Sequence, residues 1–451
     1  MEDAYFMAAA AGLASGLLAL AARRAPLLAW IALCPLGLAL SRCGHPAALA
    51  GVLTGAALHG PVMLTQPTRL RPLGFLYGGL GWGFAAGVGG IVLEVARESR
   101  LLSEPVALAC VLPMVSFVAT LPMQLAGAPR WVRAVLACTQ EPYPAVIRVG
   151  WLGGDVTVSA LLSLSSATAC LLIPGATWAP GLAALLLAVV VAALVAASRS
   201  LAHTRRALER QPRVRVAAVV VNGAPPDGPV DGLWPLRSRE YRDVAATIAR
   251  YAPHVARAAR EGAELVVLPE VAVLAGGEGA VSWLEGVRHW ASEHGITVVA
   301  PHFDPVTPTN TLTIVEPSGS CTGHDKQHPA PGLEPAPRAR QPPGPHPLER
   351  GWPLSTVICV DLDYADLIAP VRASGGLLVA PSNDWDGPFA ALHDRSAVWA
   401  AVLTGTTVLR ATGHGLCSVR DGAGDILART SSLNGPTVLV VDIPLAPANP
   451  R

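Results

Sequence analysis

The residues able to do covalent chemistry are a thiol and a carboxylate, each at the end of an apolar run, and an amine in a loop. Cys359 closes Ser355-Thr-Val-Ile-Cys359, a β-branched stretch that reads as a buried strand. Acidic residues follow at Asp361, Asp363 and Asp366, and an apolar-periodic segment then begins. A thiol facing the first turn of a helix sits among unpaired N–H groups, which lower a thiol pKa and can hold an oxyanion. A buried structural cysteine is the plainer alternative. Glu270 follows Leu265-Val-Val-Leu-Pro269, and Lys326 lies in Gly323-His-Asp-Lys-Gln-His328. Alone, the first reads as a solvated strand end and the second as surface charge in a loop. Together the three form a nucleophilic set. The carboxylate takes the thiol proton and returns it to a leaving group, and the ammonium with a backbone N–H stabilises a tetrahedral oxyanion.

The elements that must position these residues fall into two unlike halves. Of 451 residues, 51% are hydrophobic and only 14% charged, and the apolar residues concentrate before residue 200. A net charge of +1 with no basic tract argues against a nucleic-acid partner. The cysteines are scattered, with no CxxC and no Cys/His pair at zinc spacing, so neither a disulfide framework nor a metal site is indicated. Seven apolar runs read as a transmembrane bundle over residues 1–200: Ala4–Ala22, Ala25–Leu40, Pro46–Leu64, Leu73–Val95, Pro105–Ala126, Val156–Ile173 and Pro180–Ala197. The second is short, and Glu94 stands near the end of the fourth. Glycines at 78, 79, 81, 83, 87, 89 and 90 suit close helix packing in lipid rather than a phosphate cradle. An odd number of spans puts the C-terminal half opposite the N-terminus. With that terminus in the cytoplasm, inside loops hold Arg42, Arg97 and Arg100, while outside loops hold Arg23, Arg24, Arg69, Arg71, Arg130, Arg133 and Arg148. This is the reverse of the usual bias.

Residues 201–212 read as a basic, polar linker. Residues 213–451 then alternate strands and helices as an α/β layered domain with a mixed sheet. Strands are expected at Arg213–Asn222, Glu264–Leu268, Ile296–His302 and Thr311–Val315. Further strands are expected at Leu377–Ala380, Thr407–Arg410, Gly415–Arg420, Asp425–Ala428 and Thr437–Asp442. Helices are expected at Arg239–Glu261, Val281–His294, from beyond Cys359 to about Ser374, and at Ala390–Thr404. Gly323–Arg350, rich in Pro and basic residues, reads as a long irregular loop, with the length of a lid. No eighth span is read before the chain stops at Arg451.

The order Glu, Lys, Cys resembles the nitrilase (carbon–nitrogen hydrolase) superfamily, carried here by Val-Val-Leu-Pro-Glu270, Asp-Lys326-Gln-His and Val-Ile-Cys359-Val-Asp361. Behind seven spans it resembles, more narrowly, the apolipoprotein N-acyltransferase family. Trp30-Ile-Ala-Leu-Cys-Pro-Leu36 is similar to that family's second span. Pro381-Ser-Asn-Asp-Trp385 resembles its SND-W turn, one residue shorter before Trp385. His393 and Leu409-Arg-Ala-Thr-Gly413 resemble the helix and strand beyond that turn. The family's K-x-H-L-V-P-F-G-E loop corresponds to Lys326-Gln-His-Pro-Ala-Pro-Gly-Leu-Glu334, which keeps Lys326, His328, Pro331 and Glu334. Several positions depart. Val360-Asp361 stands for the usual Tyr-Glu, Trp399 and Val402 stand for an Arg and a Glu, the stretch from lysine to cysteine is short, and the C-terminal span is missing.

The resemblance implies an αββα sandwich after the helical bundle. It implies Glu270, Lys326 and Cys359 as catalytic residues, with Glu334 supporting the lysine and Asp361, Asn383 and Trp385 around them. It also implies the reaction: an acyl chain passes from a phospholipid to the cysteine, then to the N-terminal amine of a lipoprotein. No metal, nucleotide or other cofactor is expected. The expected place is the bacterial inner membrane, with the catalytic domain on the extracytoplasmic side. Arg338 and Arg340 are expected near lipid phosphate. Two other readings stand beside this one: a membrane-tethered amidase of the same superfamily, and an inactive lipid- or lipoprotein-binding paralogue.

Overall fold

A computed structural model gives the structure of the chain and describes residues 2–64, 71–100, 102–125, 128–133, 135–173, 179–221, 242–330, 334, 344–384 and 387–447. The chain forms two compact units, Met1–Leu201 and Ala202–Arg451.

The first unit is helical. Its long elements are α1 (Glu2–Ala22), α2 (Cys34–Cys43, preceded by a 3-10 turn at Pro26–Trp30), α3 (Ala47–Leu64), α4 (Arg71–Ser99), α5 (Glu104–Leu125) and α6 (Gly154–Leu171). It also holds most of α7 (Pro180–Glu209). Among the described residues six helices are long and apolar enough to cross a membrane: Asp3–Ala22, Pro26–Cys43, Gly78–Ser99, Glu104–Leu125, Gly154–Leu171 and Pro180–Glu209. The third of the seven expected runs gives a shorter apolar stretch, Ala47–Gly60. The glycines do pack helices. A Cβ on Gly55 would lie 2.3 Å from the Gly78 carbonyl oxygen, and one on Gly51 2.2 Å from that of Trp82, so α3 and α4 touch backbone to backbone. The segment expected as a linker is helical through Glu209, because Leu, Ala, Arg and Glu favour helix and no breaker comes before Pro212.

The second unit is built from two six-stranded sheets. The first has the order β14 (Thr437–Pro444), β1 (Arg213–Val220), β2 (Leu265–Val267), β3 (Thr297–Asp304), β4 (Thr309–Val315), β5 (Cys321–Asp325). The second has the order β13 (Ile426–Ser431), β12 (Leu416–Arg420), β10 (Thr407–Arg410), β8 (Leu377–Val379), β7 (Pro353–Thr356), β6 (His346–Pro347). In each sheet three central strands run parallel, β1–β2–β3 and β7–β8–β10, and antiparallel strands flank them. A two-stranded parallel pair, β9 (Ser382–Asn383) with β11 (Thr412–Gly413), extends beyond the second sheet.

Strand alternation sorts the apolar residues into three layers. Val216, Ala218, Val267, Val299, Leu312 and Ile314 of the first sheet meet Leu354, Leu377, Val379, Leu409 and Val419 of the second. The opposite face of the first sheet buries Ala217, Val219, Val266 and Val298 against α8 (Val244–Arg260) and α9 (Glu278–His294). The opposite face of the second, with Leu378 and Val408, packs Ala397, Ala400 and Ala401 of α10 (Gly387–Thr404). The unit is therefore an αββα sandwich. At about 1.5–3 kcal/mol per fully buried aliphatic side chain, these layers supply the stability that a polar site at the strand ends draws down.

Two expectations are corrected. Cys321–Asp325, at the start of the supposed irregular loop, pairs with β4 as β5. The intervening Pro317-Ser-Gly319 closes a hairpin, with Gly319 at φ 86°. Cys359 opens not an α-helix but a 3-10 turn, Cys359–Asp363, followed by two short helices that Pro370 keeps apart.

Candidate active site

The site lies where the parallel strands of both sheets end. β2 runs out into Glu270, β5 into Lys326, β7 into Cys359 and β8 into the turn Pro381–Asp384. Backbone bonds stitch these ends together. The Cys359 N–H donates to the Pro381 carbonyl at 2.8 Å, the Glu270 N–H to Ser382 at 3.3 Å, and the Lys326 N–H to Asn310 at 2.8 Å. Residues expected from three separate stretches are thereby brought together.

Lys326 is 2% exposed, and its Nζ lies 2.7 Å from Glu270 Oε1 and 2.8 Å from Glu334 Oε1. Asn310 Nδ2 donates to both carboxylates, at 2.8 and 3.1 Å, and the Ala330 N–H donates to Glu334 Oε2 at 2.8 Å. Burial alone would strip the charge from the amine, but the facing carboxylates outweigh it and hold Lys326 well above the ordinary amine range. Glu270 is buried too. The Lys326 charge and hydrogen bonds from Lys326, Cys359 and Asn310 overcome that burial and keep its carboxyl below the ordinary range. Glu334 is pushed up by burial and by the Glu270 charge, against the pull of Lys326. The resting site is thus an ionised Glu270 beside an ammonium.

Cys359 hydrogen-bonds Glu270 and accepts from the backbone N–H of Asn383. Its thiol lies well above the ordinary thiol range, chiefly because it is buried and then because Glu270 and Asp384 are negative. Lys326 and the Asn383 N–H oppose this without winning. The expected lowering by helical N–H groups is therefore corrected: the resting cysteine is a thiol. Cys359 has φ 53°, and Val271, directly after Glu270, has φ 54°. Both are strained left-handed positions for side-chain-bearing residues, costing about 1–3 kcal/mol each. The packing around them keeps the Glu270 carboxylate and the Cys359 thiol against one another.

Asp361, fully buried, ties the lysine segment to the cysteine turn. Its carboxylate accepts from the N–H groups of His328 at 2.7 Å, Gln327 at 3.1 Å and Ile358 at 3.3 Å. Burial pushes it up to about 7 despite those donors and Lys326. The folded state then holds this proton to higher pH than the unfolded chain does. Its ionisation costs stability as pH rises from the usual carboxylate range through about 7, while the charged form makes the stronger clamp. Activity is expected to climb through an apparent pKa near 7, and Asp361→Asn is expected to lose that limb and about tenfold in rate at higher pH. The pH profile of kcat for the two proteins checks this, and matching profiles would reduce Asp361 to packing.

Asn383 reaches the site through its backbone N–H, while its side-chain Oδ1 lies 3.5 Å from His414 Nδ1. Trp385, Pro331, Arg338 and Arg340 lie outside the described residues. Sequence alone did not single out Asn310, whose signal was a buried amide inside the Thr309–Val315 strand. Nor did it assign a role to Asp384, His393 and Arg410, a buried charged cluster beside the thiol. Among the described residues no group of three or more His, Cys, Asp or Glu could hold a metal ion.

Residues 217–449 match the family model of the carbon–nitrogen hydrolases. No curated protein matches the chain. Among solved structures, an amidase from Nesterenkonia sp. is 20% identical at a TM-score of 0.42, over 51% of this chain and 90% of that one. Nit3 of Saccharomyces cerevisiae, a member of branch 10 of the nitrilase superfamily, is 19% identical at 0.42, over 52% and 90%. The C. elegans NitFhit protein is 20% identical at 0.41, over 51% and 61%.

Proposed function

We propose, for a chain that belongs to the carbon–nitrogen hydrolase family, transfer of a fatty acyl group from a phospholipid to the N-terminal amine of a bacterial lipoprotein, the reaction of an apolipoprotein N-acyltransferase. The observation that carries this reading is the pairing, in one chain, of a Glu–Lys–Cys site with six helices long and apolar enough to cross a membrane. A hydrolase of soluble amides has no use for such helices, whereas a phospholipid acyl donor resides among them.

Glu270 takes the Cys359 proton as sulfur attacks the ester carbonyl carbon. Lys326 and the N–H of Val360 face the oxyanion. The tetrahedral adduct expels the lysophospholipid oxygen, which leaves with the proton from Glu270, and a thioester remains. The lipoprotein amine then attacks, its proton passes through Glu270 to the departing sulfur, and an amide is formed. One base serves both halves, so the kinetics are ping-pong.

The second reading, amide hydrolysis, is favoured by the family match, since the same set with water in place of the amine releases a free acid. Purified protein incubated with phospholipid is expected to gain one fatty-acyl mass on Cys359. Turnover of simple amides without that adduct supports the hydrolase instead. The lipoprotein acceptor also requires residues 213–451 outside the cytoplasm, so a reporter fused after Arg451 that is active only in the cytoplasm removes it.

A further inference from the structure

Asp384, His393 and Arg410 form a cluster of ionisable groups buried in the second unit, at 2%, 1% and 0% exposure. One guanidinium nitrogen of Arg410 lies 2.9 and 3.1 Å from the two Asp384 oxygens. His393 Nδ1 lies 2.8 Å from Asp384 Oδ1 and 2.7 Å from the same arginine nitrogen. The Asp384 backbone is fixed as well, its N–H donating to the Gly413 carbonyl at 2.8 Å, and a second arginine nitrogen reaches the Leu416 carbonyl at 3.3 Å. Gly415 leaves the room the carboxylate needs: a Cβ there would stand 2.3 Å from Asp384 Oδ2.

Burying three such groups is costly, and an apolar trio of the same volume would pack a helix onto a sheet at less expense. What the ionic cluster adds is direction. A carboxylate held from two sides fixes Asp384 and, with the Ser382 N–H bonded to the Ala411 carbonyl and the Asp384 N–H to that of Gly413, pins both ends of Asn383, the residue between, whose own N–H donates to the Cys359 sulfur. We infer that Asp384, His393 and Arg410 are positioning residues that hold the Asn383 N–H against the nucleophile and so stabilise the thiolate as it forms. The inference rests on the proposed function only in taking Cys359 as that nucleophile.

The groups facing the thiol are Glu270, Lys326 and Asp384, with Arg410 behind Asp384. The cluster therefore contributes a hydrogen-bond donor that favours the thiolate and a carboxylate that disfavours it. Loss of positioning and loss of the Asp384 charge move the thiol in opposite directions, so the test leaves the Asp384 charge in place. His393→Leu removes one holder of the carboxylate. His393→Asn keeps a polar nitrogen near the Nδ1 position. Arg410→Lys keeps the countercharge but loses the second nitrogen, which anchors the guanidinium to the Leu416 carbonyl.

The full chain in detergent is alkylated with iodoacetamide across the range from about pH 6 to 10, and modification of the Cys359 peptide is followed by mass spectrometry. His393→Leu and Arg410→Lys are each expected to alkylate Cys359 about tenfold more slowly at neutral pH, with the profile displaced to higher pH by about one unit. His393→Asn is expected to restore most of the rate. A merely structural role would lower the melting temperature and leave the profile of the folded protein in place. Folded His393→Leu and Arg410→Lys proteins that alkylate as the parent does overturn the inference. If one variant fails to fold, the other decides. Alkylation does not require acyl transfer: a parent that takes no acyl group from any phospholipid, while the alkylation shift appears, refutes the function and leaves this inference standing.

Discussion

Cys359→Ser is expected to fold, insert and bind phospholipid, yet to form no acyl-enzyme and transfer no acyl chain. The oxygen fits the space of the sulfur and can still donate to Glu270. The proton is the obstacle. The thiol is already hard to ionise in its buried place, and the base that must take its proton is held below the ordinary carboxyl range by Lys326. A hydroxyl starts several units higher than a thiol, so the gap that Glu270 must bridge widens and the rate falls on the order of 10³-fold or more. No other described cysteine has this setting: Cys417, also buried in the second unit, bonds to the Thr412 backbone. An alkyne fatty acid delivered from a phospholipid and released by hydroxylamine reads the thioester directly. Equal labelling of the serine variant, or no labelling of the parent with any donor, sinks the acyl-enzyme mechanism and brings the inactive-paralogue reading forward.

Glu334→Gln is expected to cost roughly 2–4 kcal/mol in the transition state, about 30- to 1,000-fold in kcat with little change in KM. Glu334 holds Lys326 together with Glu270 and shares Asn310 with it. A glutamine there keeps the shape but removes the charge. Its NH₂ group would face either the ammonium or the Ala330 N–H, a donor against a donor. Lys326 would then lean on Glu270 alone, which lowers the basicity of the one group that must accept the thiol proton. Wild-type turnover by the glutamine variant would make Glu334 an ordinary loop residue.

The parts of this site that could be read from sequence were those whose chemistry is local. An apolar strand ending on Cys359, and another ending on Pro269-Glu270, announce themselves by alternation and composition. Glu334 was reachable only through the resemblance, because a Pro-rich stretch of chain separates it from Lys326 and nothing in that spacing says they meet. Asn310 and Arg410 were harder still. Each looks like an ordinary polar residue in a strand, and its meaning appears only when β4 and β10 are set beside their neighbours. The thiol's high pKa had the same cause: burial is a property of the closed sandwich, not of the turn that carries the cysteine.

The pairing of β1 with β14 has a consequence for how this unit comes into being. The strand that opens the unit, at Arg213, takes as its partner the one that closes it, at Pro444, with all the other strands of both sheets between them in the chain. On a ribosome β1 emerges long before β14 exists, and its Val-rich edge stays open while every other strand is made. Contacts of such sequence separation are slow to form, and chain growth delays this one further. The sandwich is therefore a structure that closes only once β14 has emerged, when the helices ahead of it have long since left the ribosome. An exposed β1 edge is the feature a chaperone or a second unfinished chain would find in the interval.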